Sequence, residues 1–504
     1  MTDITTIGIV GAGAMGRGIA QIAAQAGLTV RLYDASSDAV AAARGALEQT
    51  WNKLADKGKL SRDDAGAALS RIVTAASLEA LADCQLVIEA IVERLDVKRD
   101  VFTQLEAVVA DDCILASNTS SLSITAIAAV CRLPQRVAGY HFFNPVPLMK
   151  VVEVIDGLRT DPVVGDRLSE LAHRMGHTAV RARDMPGFIV NHAGRGMNTE
   201  GLRVAQEAVA SFAQIDAIMR EQAGFRMGPF ELMDLTALDV SHPVMESIYR
   251  QFFDEPRFRP SPITTVRLAG GLVGRKAGEG FYRYADGHKQ APAEAAAPAL
   301  PRGLKVWVSA VHPQGHDAAV ALIDGLGPHR VQASEPPDDA LIVVTPYGED
   351  VSTAVFTQGL DPARTVGLDT LHGFDPARRR TVMTSPATLA PWRDAAHALF
   401  ATDGAPVSVI EDSPGFVAQR IVATIVNIAC DIAQQRIATA GDIDKAVTLG
   451  LGYPMGPLAM GDILGAARIL EILRNMERVT GDPRYRPSLW LQRRVQLGMS
   501  LLEG

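Results

Sequence analysis

Ile7-Gly8-Ile9-Val10-Gly11-Ala12-Gly13-Ala14-Met15-Gly16 decides the fold of the first part of the chain. Ile7, Ile9 and Val10 form an apolar run of strand length, closed by glycines at 11, 13 and 16. Ile19, Ile22, Ala23 and Ala26 then recur at helical spacing up to Gly27, a C-cap, and a second apolar strand is predicted from Leu28 to Tyr33. The glycines permit a tight turn, close approach of backbone to a pyrophosphate, and close helix–strand packing. The helix N-terminus adds unpaired N–H groups and a positive dipole end. Asp34 follows Gly11 by 34 − 11 = 23 residues, where a carboxylate can accept both ribose hydroxyls and would repel a 2′-phosphate. Arg31 lies within the strand and is poorly placed as a phosphate clamp. A glycine-rich turn in an unrelated α/β protein is the bland alternative, but strand, helix, second strand and acid all appear in order. Gly11, Gly13, Ala14, Met15, Gly16 and Asp34 are therefore candidate contacts to NAD.

Outward from this unit, strands are predicted at Leu86–Glu89, Cys113–Ser117 and Val137–Tyr140, with helical patterns between them, so a parallel, doubly wound sheet is expected. A helix around residues 36–57 carries Lys53 and Lys57, with Lys59 just beyond; these can face a phosphorylated ligand or simply form a solvated face. The 504 residues suggest three to four domains, 47% hydrophobic and 21% charged residues are ordinary for globular chains, and a net charge of −8 argues against nucleic acid as a partner. No apolar run reaches membrane-span length, and Met1-Thr2-Asp3-Ile4 lacks a basic-then-apolar leader pattern. Cys84, Cys113, Cys131 and Cys430 lack metal-type spacing, so no metal is expected and a reduced cytoplasmic setting is the default.

Val137-Ala138-Gly139-Tyr140 is expected to deliver His141 to the carboxyl edge of the sheet, where ligands bind in such folds. Phe142 to Pro147 follow, and Lys150 to Ile155 reads as another strand. His141 and Glu153 are 12 residues apart with Pro147 at their midpoint, so a reversal there would set the two side chains face to face. A carboxylate on one ring nitrogen fixes the tautomer and supports an imidazolium, leaving the other nitrogen to take a proton from an alcohol.

Ser117-Asn118-Thr119-Ser120-Ser121-Leu122, then His141 through Lys150 with Glu153, then Pro186-Gly187-Phe188-Ile189-Val190-Asn191, Gly228 to Asp234 and Gly274 to Tyr282 together resemble the L-3-hydroxyacyl-CoA dehydrogenase family, over the chain up to about residue 284. The resemblance implies NAD-linked oxidation of the 3-hydroxyl of an acyl-CoA, with His141 as general base and Glu153 as its orienting partner. It also implies that Ser120 and Asn191 hydrogen-bond the reacting oxygen, that Glu93, Lys98, Ser120, Asn144 and Lys276 contact the cofactor, and that the protein is a homodimer. Ser120 and Asn144 as turn caps, and Asn191 as a helix-start residue, are the structural alternatives.

Beyond an Ala/Pro-rich linker at 285–303 the chain repeats itself. Asp184-Met185-Pro186-Gly187-Phe188 matches Asp412-Ser413-Pro414-Gly415-Phe416, and Met227-Gly228-Pro229 matches Met455-Gly456-Pro457, both at an offset of 414 − 186 = 228. Asp234 matches Asp462 at the same offset, and Asn191 falls on Gln419. Residues 304–410 show strands at Leu304–Val308, Ala340–Thr345 and Thr365–Leu368, but Ser309-Ala310-Val311-His312-Pro313-Gln314-Gly315 replaces the glycine fingerprint. Aligning Val137-Ala138-Gly139 with Val366-Gly367-Leu368 sets Thr370 against His141 and Val382 against Glu153. The expected architecture is thus α/β plus α. A Rossmann-type domain (1–184) precedes a helical domain (185–284) and the linker; a reduced Rossmann-like domain (304–410) and a second helical domain (411–504) follow. Only the first two are expected to carry out the reaction. The arrangement resembles the longer bacterial 3-hydroxybutyryl-CoA or 3-hydroxyadipyl-CoA members of the family.

Two further readings are open: a dehydrogenase of small free 3-hydroxyacids, whose relatives centre on a lysine rather than a His/Glu pair, and an NAD-binding regulatory protein with a vestigial site. The acyl chain is not readable, although a dicarboxylic chain would need a cation such as Arg195, Arg203 or Arg226.

Overall fold

The computed structural model describes residues 3–503; Met1 and Thr2, on which the leader reading partly rests, and Gly504 lie outside the described residues. Two compact units emerge, one running up to His192 and adding Gln435–Leu451, the other formed by Ala193–Gln434 and Gly452–Glu503. In the first unit, β1 (Thr6–Val10), β2 (Thr29–Tyr33), β3 (Ile72–Thr74), β4 (Leu86–Glu89), β5 (Ile114–Ser117), β6 (Val137–Phe142), β7 (Val151–Asp156) and β8 (Thr178–Arg183) form one sheet, in the order β3-β2-β1-β4-β5-β6-β7-β8. All neighbours are parallel except β6 and β7. The central strands are buried along their whole length, which is why they read as continuous apolar runs rather than alternating ones. Strand order reverses at β1, between β2 and β4, and the glycine turn sits at that switch point. Sequence patterning missed β3 and β8: three residues are too few to show a period, and β8 carries Arg181 and Arg183 in an edge strand.

The helix Ala440–Leu451 packs on β7 and β8, although it belongs to the expected second helical domain. Arg183 N–H donates to the Ile437 carbonyl at 2.8 Å, tying the edge strand to the segment that leads into this helix. One helix of the second copy thus belongs to the first compact unit, on the edge of its sheet.

In the second unit, the expected linker begins as a hairpin of β9 (Arg283–Ala285) and β10 (His288–Gln290). β11 (Lys305–Val308), β12 (His329–Arg330), β13 (Ala340–Val344), β14 (Thr365–Leu368), β15 (Arg380–Thr384) and β16 (Val407–Ile410) form a six-stranded sheet, ordered β12-β11-β13-β14-β15-β16. β14 and β15 are antiparallel, matching β6 and β7 of the first sheet.

Register corrects one expectation. Gly139 faces Ile155 across β6/β7, and Gly367 faces Met383 across β14/β15, so the 228-residue offset holds through the strands. His141 therefore corresponds to Asp369 and Glu153 to Thr381, not to Thr370 and Val382. Gly139 is wedged against Ile155 and Ile124, and Gly367 against Val351 and Phe416, a packing constraint that a Val-for-Val alignment overlooks. The repeat also extends to the carboxylates that accept from helix N-termini. Asp184 accepts from Ile124 N–H and Thr125 N–H, and Asp412 from Val351 N–H and Ser352 N–H.

The two helical copies meet along Arg195–Gln206 and Ala418–Gln434. At their contact the buried Arg420 donates to Glu200 at 2.7 Å, Glu207 at 2.7 Å and Tyr485 at 2.9 Å, while Tyr485 also donates to Glu200 at 2.8 Å. Arg484 lies 3.5 Å from the other Glu200 oxygen. Removing one partner of a buried ion network leaves the others desolvated and uncompensated. Glu200→Gln should therefore lower the second unit's stability by roughly 3 kcal/mol, read as an earlier transition in urea unfolding; an unchanged midpoint would show that the network contributes nothing net.

Candidate active site

Backbone geometry at the glycine turn suits a bound pyrophosphate. Gly11 has φ +111°, and a Cβ there would lie 2.5 Å from the Ala90 carbonyl oxygen. A Cβ on Gly16 would lie 1.8 Å from the Gly11 carbonyl oxygen, whereas one on Gly13 would meet nothing within 4 Å. Gly11 and Gly16 are thus demanded by packing, and Gly13 faces open space at the N-terminus of the helix Ala14–Gln25. Ala14 and Met15 form the first residues of that helix. Asp34 ends β2, where its carboxylate accepts from Ala12 N–H at 2.8 Å and Ser36 N–H at 3.0 Å. The cradle, the helix end and the fixed acid together fit a dinucleotide.

At the other side of the switch point, β6 and β7 set His141 directly opposite Glu153. Glu153 Oε2 lies 2.6 Å from His141 Nδ1. Its other oxygen accepts from Ile189 N–H at 2.8 Å and Val190 N–H at 2.9 Å, so this fully buried carboxylate is held at both ends. The carboxylate fixes the Nδ1–H tautomer and leaves Nε2 to accept a proton. The imidazole packs between Phe143, at 4.4 Å between ring centres, and Phe188, at 5.9 Å, which set its plane. Gly187 and Phe188 adopt left-handed backbone, with φ +75° and +49°, and turn the chain so that the next two N–H groups point at Glu153. One residue further on, Asn191 Nδ2 donates to the Ser120 carbonyl at 3.3 Å.

A second polar cluster lies after β4 and β5. Lys98 is buried and donates to Glu89 at 2.6 Å, with Glu93 at 3.3 Å. Glu93 Oε1 accepts from Thr119 Oγ1 at 2.6 Å, Ser120 N–H at 2.9 Å and Ser121 N–H at 3.1 Å, and more distantly from Ser120 Oγ at 3.3 Å. Burial works to raise the Glu93 carboxyl, but Lys98 and these donors outweigh it and hold it below its ordinary value of 4.5. The structure therefore gathers Glu93, Lys98 and Ser120, joins Ser120 to Asn191 through a backbone oxygen, and pairs His141 with Glu153. Asn144 lies exposed on the turn between β6 and β7. Lys276 belongs to the second unit, where it pairs with Asp239. Sequence reading missed Glu89 and Ser117, whose hydroxyl donates to Glu89 at 2.6 Å; an acid ending the apolar run of β4 was the available signal. It also missed Asn118, whose Oδ1 accepts from Phe142 N–H at 2.8 Å beside His141.

Lys53, Lys57 and Lys59 are all exposed, whereas Arg203 is engaged by Glu207 and Arg226 is exposed. Arg195 is buried beside Tyr453, and burial pushes its guanidinium down to about 10.

Comparison with known proteins gives concordant matches. The model of the 3-hydroxyacyl-CoA dehydrogenase NAD-binding domain matches residues 6–185, and that of the 3-hydroxyacyl-CoA dehydrogenase C-terminal domain matches 187–284 and again 415–500. A 3-hydroxyadipyl-CoA dehydrogenase of Escherichia coli K12 is 38% identical over 99% of this chain and 98% of its own length. A probable 3-hydroxybutyryl-CoA dehydrogenase of Deinococcus radiodurans is 42% identical, covering 55% of this chain and 99% of its own. Among solved structures, a 3-hydroxybutyryl-CoA dehydrogenase from Escherichia coli K12 superposes with a TM-score of 0.86 and 35% identity, over 98% of this chain and 99% of that one.

Lys98→Met would leave the buried Glu89 and the half-buried Glu93 without their cation. We expect a loss of roughly 3–5 kcal/mol in thermal or urea unfolding, together with weaker NADH binding by fluorescence titration. A carboxylate held below its ordinary value adds stability above that value and loses it as pH falls through the lowered one. Wild-type stability should accordingly fall in acid below the ordinary 4.5 of Glu93, and that component of the acid profile should be missing in the variant.

Proposed function

The chain belongs to the 3-hydroxyacyl-CoA dehydrogenase family and is an NAD-dependent oxidoreductase, and from that premise we propose that it oxidises the 3-hydroxyl of an (S)-3-hydroxyacyl-CoA to the 3-ketoacyl-CoA, reversibly, with His141 as the proton acceptor. The observation that carries the site assignment is the 2.6 Å contact between His141 Nδ1 and a Glu153 carboxylate that two backbone N–H groups lock in place.

NAD, when bound, would supply the acceptor for the hydride leaving substrate C3. His141 Nε2 takes the hydroxyl proton, and Glu153 stabilises the imidazolium that results. Asn191 and Ser120 hydrogen-bond the reacting oxygen; for Ser120 this means turning its hydroxyl from the long 3.3 Å contact with Glu93. Gly11, Gly13, Ala14, Met15 and Gly16 hold the pyrophosphate and Asp34 the adenosine ribose, with Glu93, Lys98, Ser120, Asn144 and Lys276 as the remaining cofactor contacts. The substrate class is a short-chain or dicarboxylic acyl-CoA, such as 3-hydroxybutyryl-CoA or 3-hydroxyadipyl-CoA. Support comes from the names of the matched relatives and from the full-length match to a 3-hydroxyadipyl-CoA enzyme. The His/Glu pair favours this reading over a free hydroxyacid dehydrogenase or a regulatory protein. No helix among the described residues is long and apolar enough to cross a membrane, and we place the protein in the cytoplasm as a homodimer.

NADH consumption with acetoacetyl-CoA tests the reaction. Wild type should turn over, and His141→Ala should lose roughly 10²–10⁴-fold in kcat with NADH affinity retained. Absence of wild-type turnover on any 3-ketoacyl-CoA would overturn the reaction, and equal turnover by the variant would overturn the assignment of His141. Comparing kcat/KM on acetoacetyl-CoA, a medium-chain ketoacyl-CoA and 3-oxoadipyl-CoA ranks the substrates, with the medium chain expected last. Sedimentation velocity should give twice the mass of one chain; a monomer would remove the dimer from the proposal.

A further inference from the structure

At the second copy's counterpart of the active site, a side chain from a distant helix fills the space. Gln222 ends the helical stretch Ile218–Gln222 that follows Phe212–Ala217. Its amide nitrogen donates to Asp369 at 2.9 Å, and its oxygen accepts from Thr381 at 2.6 Å. Asp369 and Thr381 stand where the first copy has His141 and Glu153. Gln419, at the position of Asn191, donates to the other Asp369 oxygen at 3.0 Å. All four residues are buried.

The same 228-residue offset carries Gln222 onto Gly450 and Val190 onto Ala418. Gly450 lies in Ala440–Leu451, the helix that packs on β7 and β8 in the first unit. A Cβ placed on Gly450 would lie 3.0 Å and 3.1 Å from the two methyls of Val190 and 3.6 Å from a methyl of Val151. Val190 is the residue whose N–H holds Glu153, and Val151 lies on the same strand as Glu153, two residues away. Where the first copy has a bare Gly450 beside Val190, the 228-residue offset sets Gln222 and Ala418 in the second. Backbone at Gly450 is ordinary helix rather than left-handed, so conformation does not require a glycine there; space does.

We infer that Gly450, supplied by the second half of the chain, is a positioning residue for the His141–Glu153 pair: its missing side chain lets Val190 seat its N–H on Glu153 and keeps the space beside the pair unplugged. The inference rests on the reading of that pair as the proton-transfer site.

Full-length Gly450→Ala, Gly450→Gln, Val190→Ala and the two double variants test it. An alanine favours a helix over a glycine, so a purely structural role predicts that Gly450→Ala keeps or raises Tm and leaves kcat alone. We expect instead kcat to fall roughly 10-fold for Gly450→Ala and 10²-fold for Gly450→Gln, the scale of an ångström-size misplacement. NADH affinity should stay within about twofold, because the glycine cradle does not move. Val190→Ala should restore much of the Gly450→Ala loss, since it removes the methyls that the added Cβ would meet, but not that of Gly450→Gln, whose amide would bond the pair. Wild-type kcat in Gly450→Gln, or losses that simply add to those of Val190→Ala, would overturn the inference. If Gly450→Gln does not fold, the Gly450→Ala and Val190→Ala cycle decides alone. A readout without substrate separates this from the proposed reaction: the downfield proton resonance of His141 Nδ1–H, identified by its absence in His141→Ala, should shift in Gly450→Ala whether or not acetoacetyl-CoA is turned over. An unshifted resonance would likewise overturn it.

Discussion

A carboxylate removed from water must have its lone pairs answered by donors, and Glu153 imposes that demand on everything around it. It lies in the middle of β7 with no solvent access. One oxygen needs an imidazole N–H, so β6 must run antiparallel to β7 with His141 in the facing register. The other needs two backbone N–H groups, so the chain leaving β8 must turn through left-handed Gly187 and Phe188 before Ile189 and Val190 can point inward. The single antiparallel pair in an otherwise parallel sheet, the sharp turn after β8 and the start of the following helix all serve one buried charge.

Much of this was legible because local chemistry and fold coincide there. Glycines 11, 13 and 16 with Asp34 marked the switch point, and a proline-rich midpoint was enough to oppose His141 and Glu153. Other features carried a weak local signal or none. Burial of Lys98 between Glu89 and Glu93 depends on which helix face meets the sheet, and a lysine in a helical pattern ordinarily reads as solvated. The hairpin at 283–290 hid in polar, Ala-bordered sequence without apolar alternation. The misplaced second-copy alignment failed for a physical reason: valines recur on any buried strand, whereas Gly139 and Gly367 are fixed by the side chains packed against them. Placement of Ala440–Leu451 on the first sheet is a long-range choice that no short window contains.

The second copy treats the same buried position differently. Asp369 is completely buried, and burial pushes its carboxyl above the usual range, while Gln222, Gln419 and Leu371 N–H lower the cost of its charge. A set of amides and a hydroxyl now satisfies one another where a histidine and a carboxylate stand in the first copy. A closed polar network of this kind rigidifies the core around it.

The contrast between Gly450 and Gln222 has a consequence for how such a chain can change. Were the two halves separate and identical molecules lending each other this helix, the residue at that position would be one and the same on both sides, and any mutation would strike both pockets at once. Covalent fusion of non-identical copies breaks that symmetry. One position is free to accumulate polar filling that strengthens the assembly, while its twin stays bare so that the working pocket remains open. Robustness and activity, which compete for the same residue in a symmetric pair, are here assigned to different places on a single polypeptide.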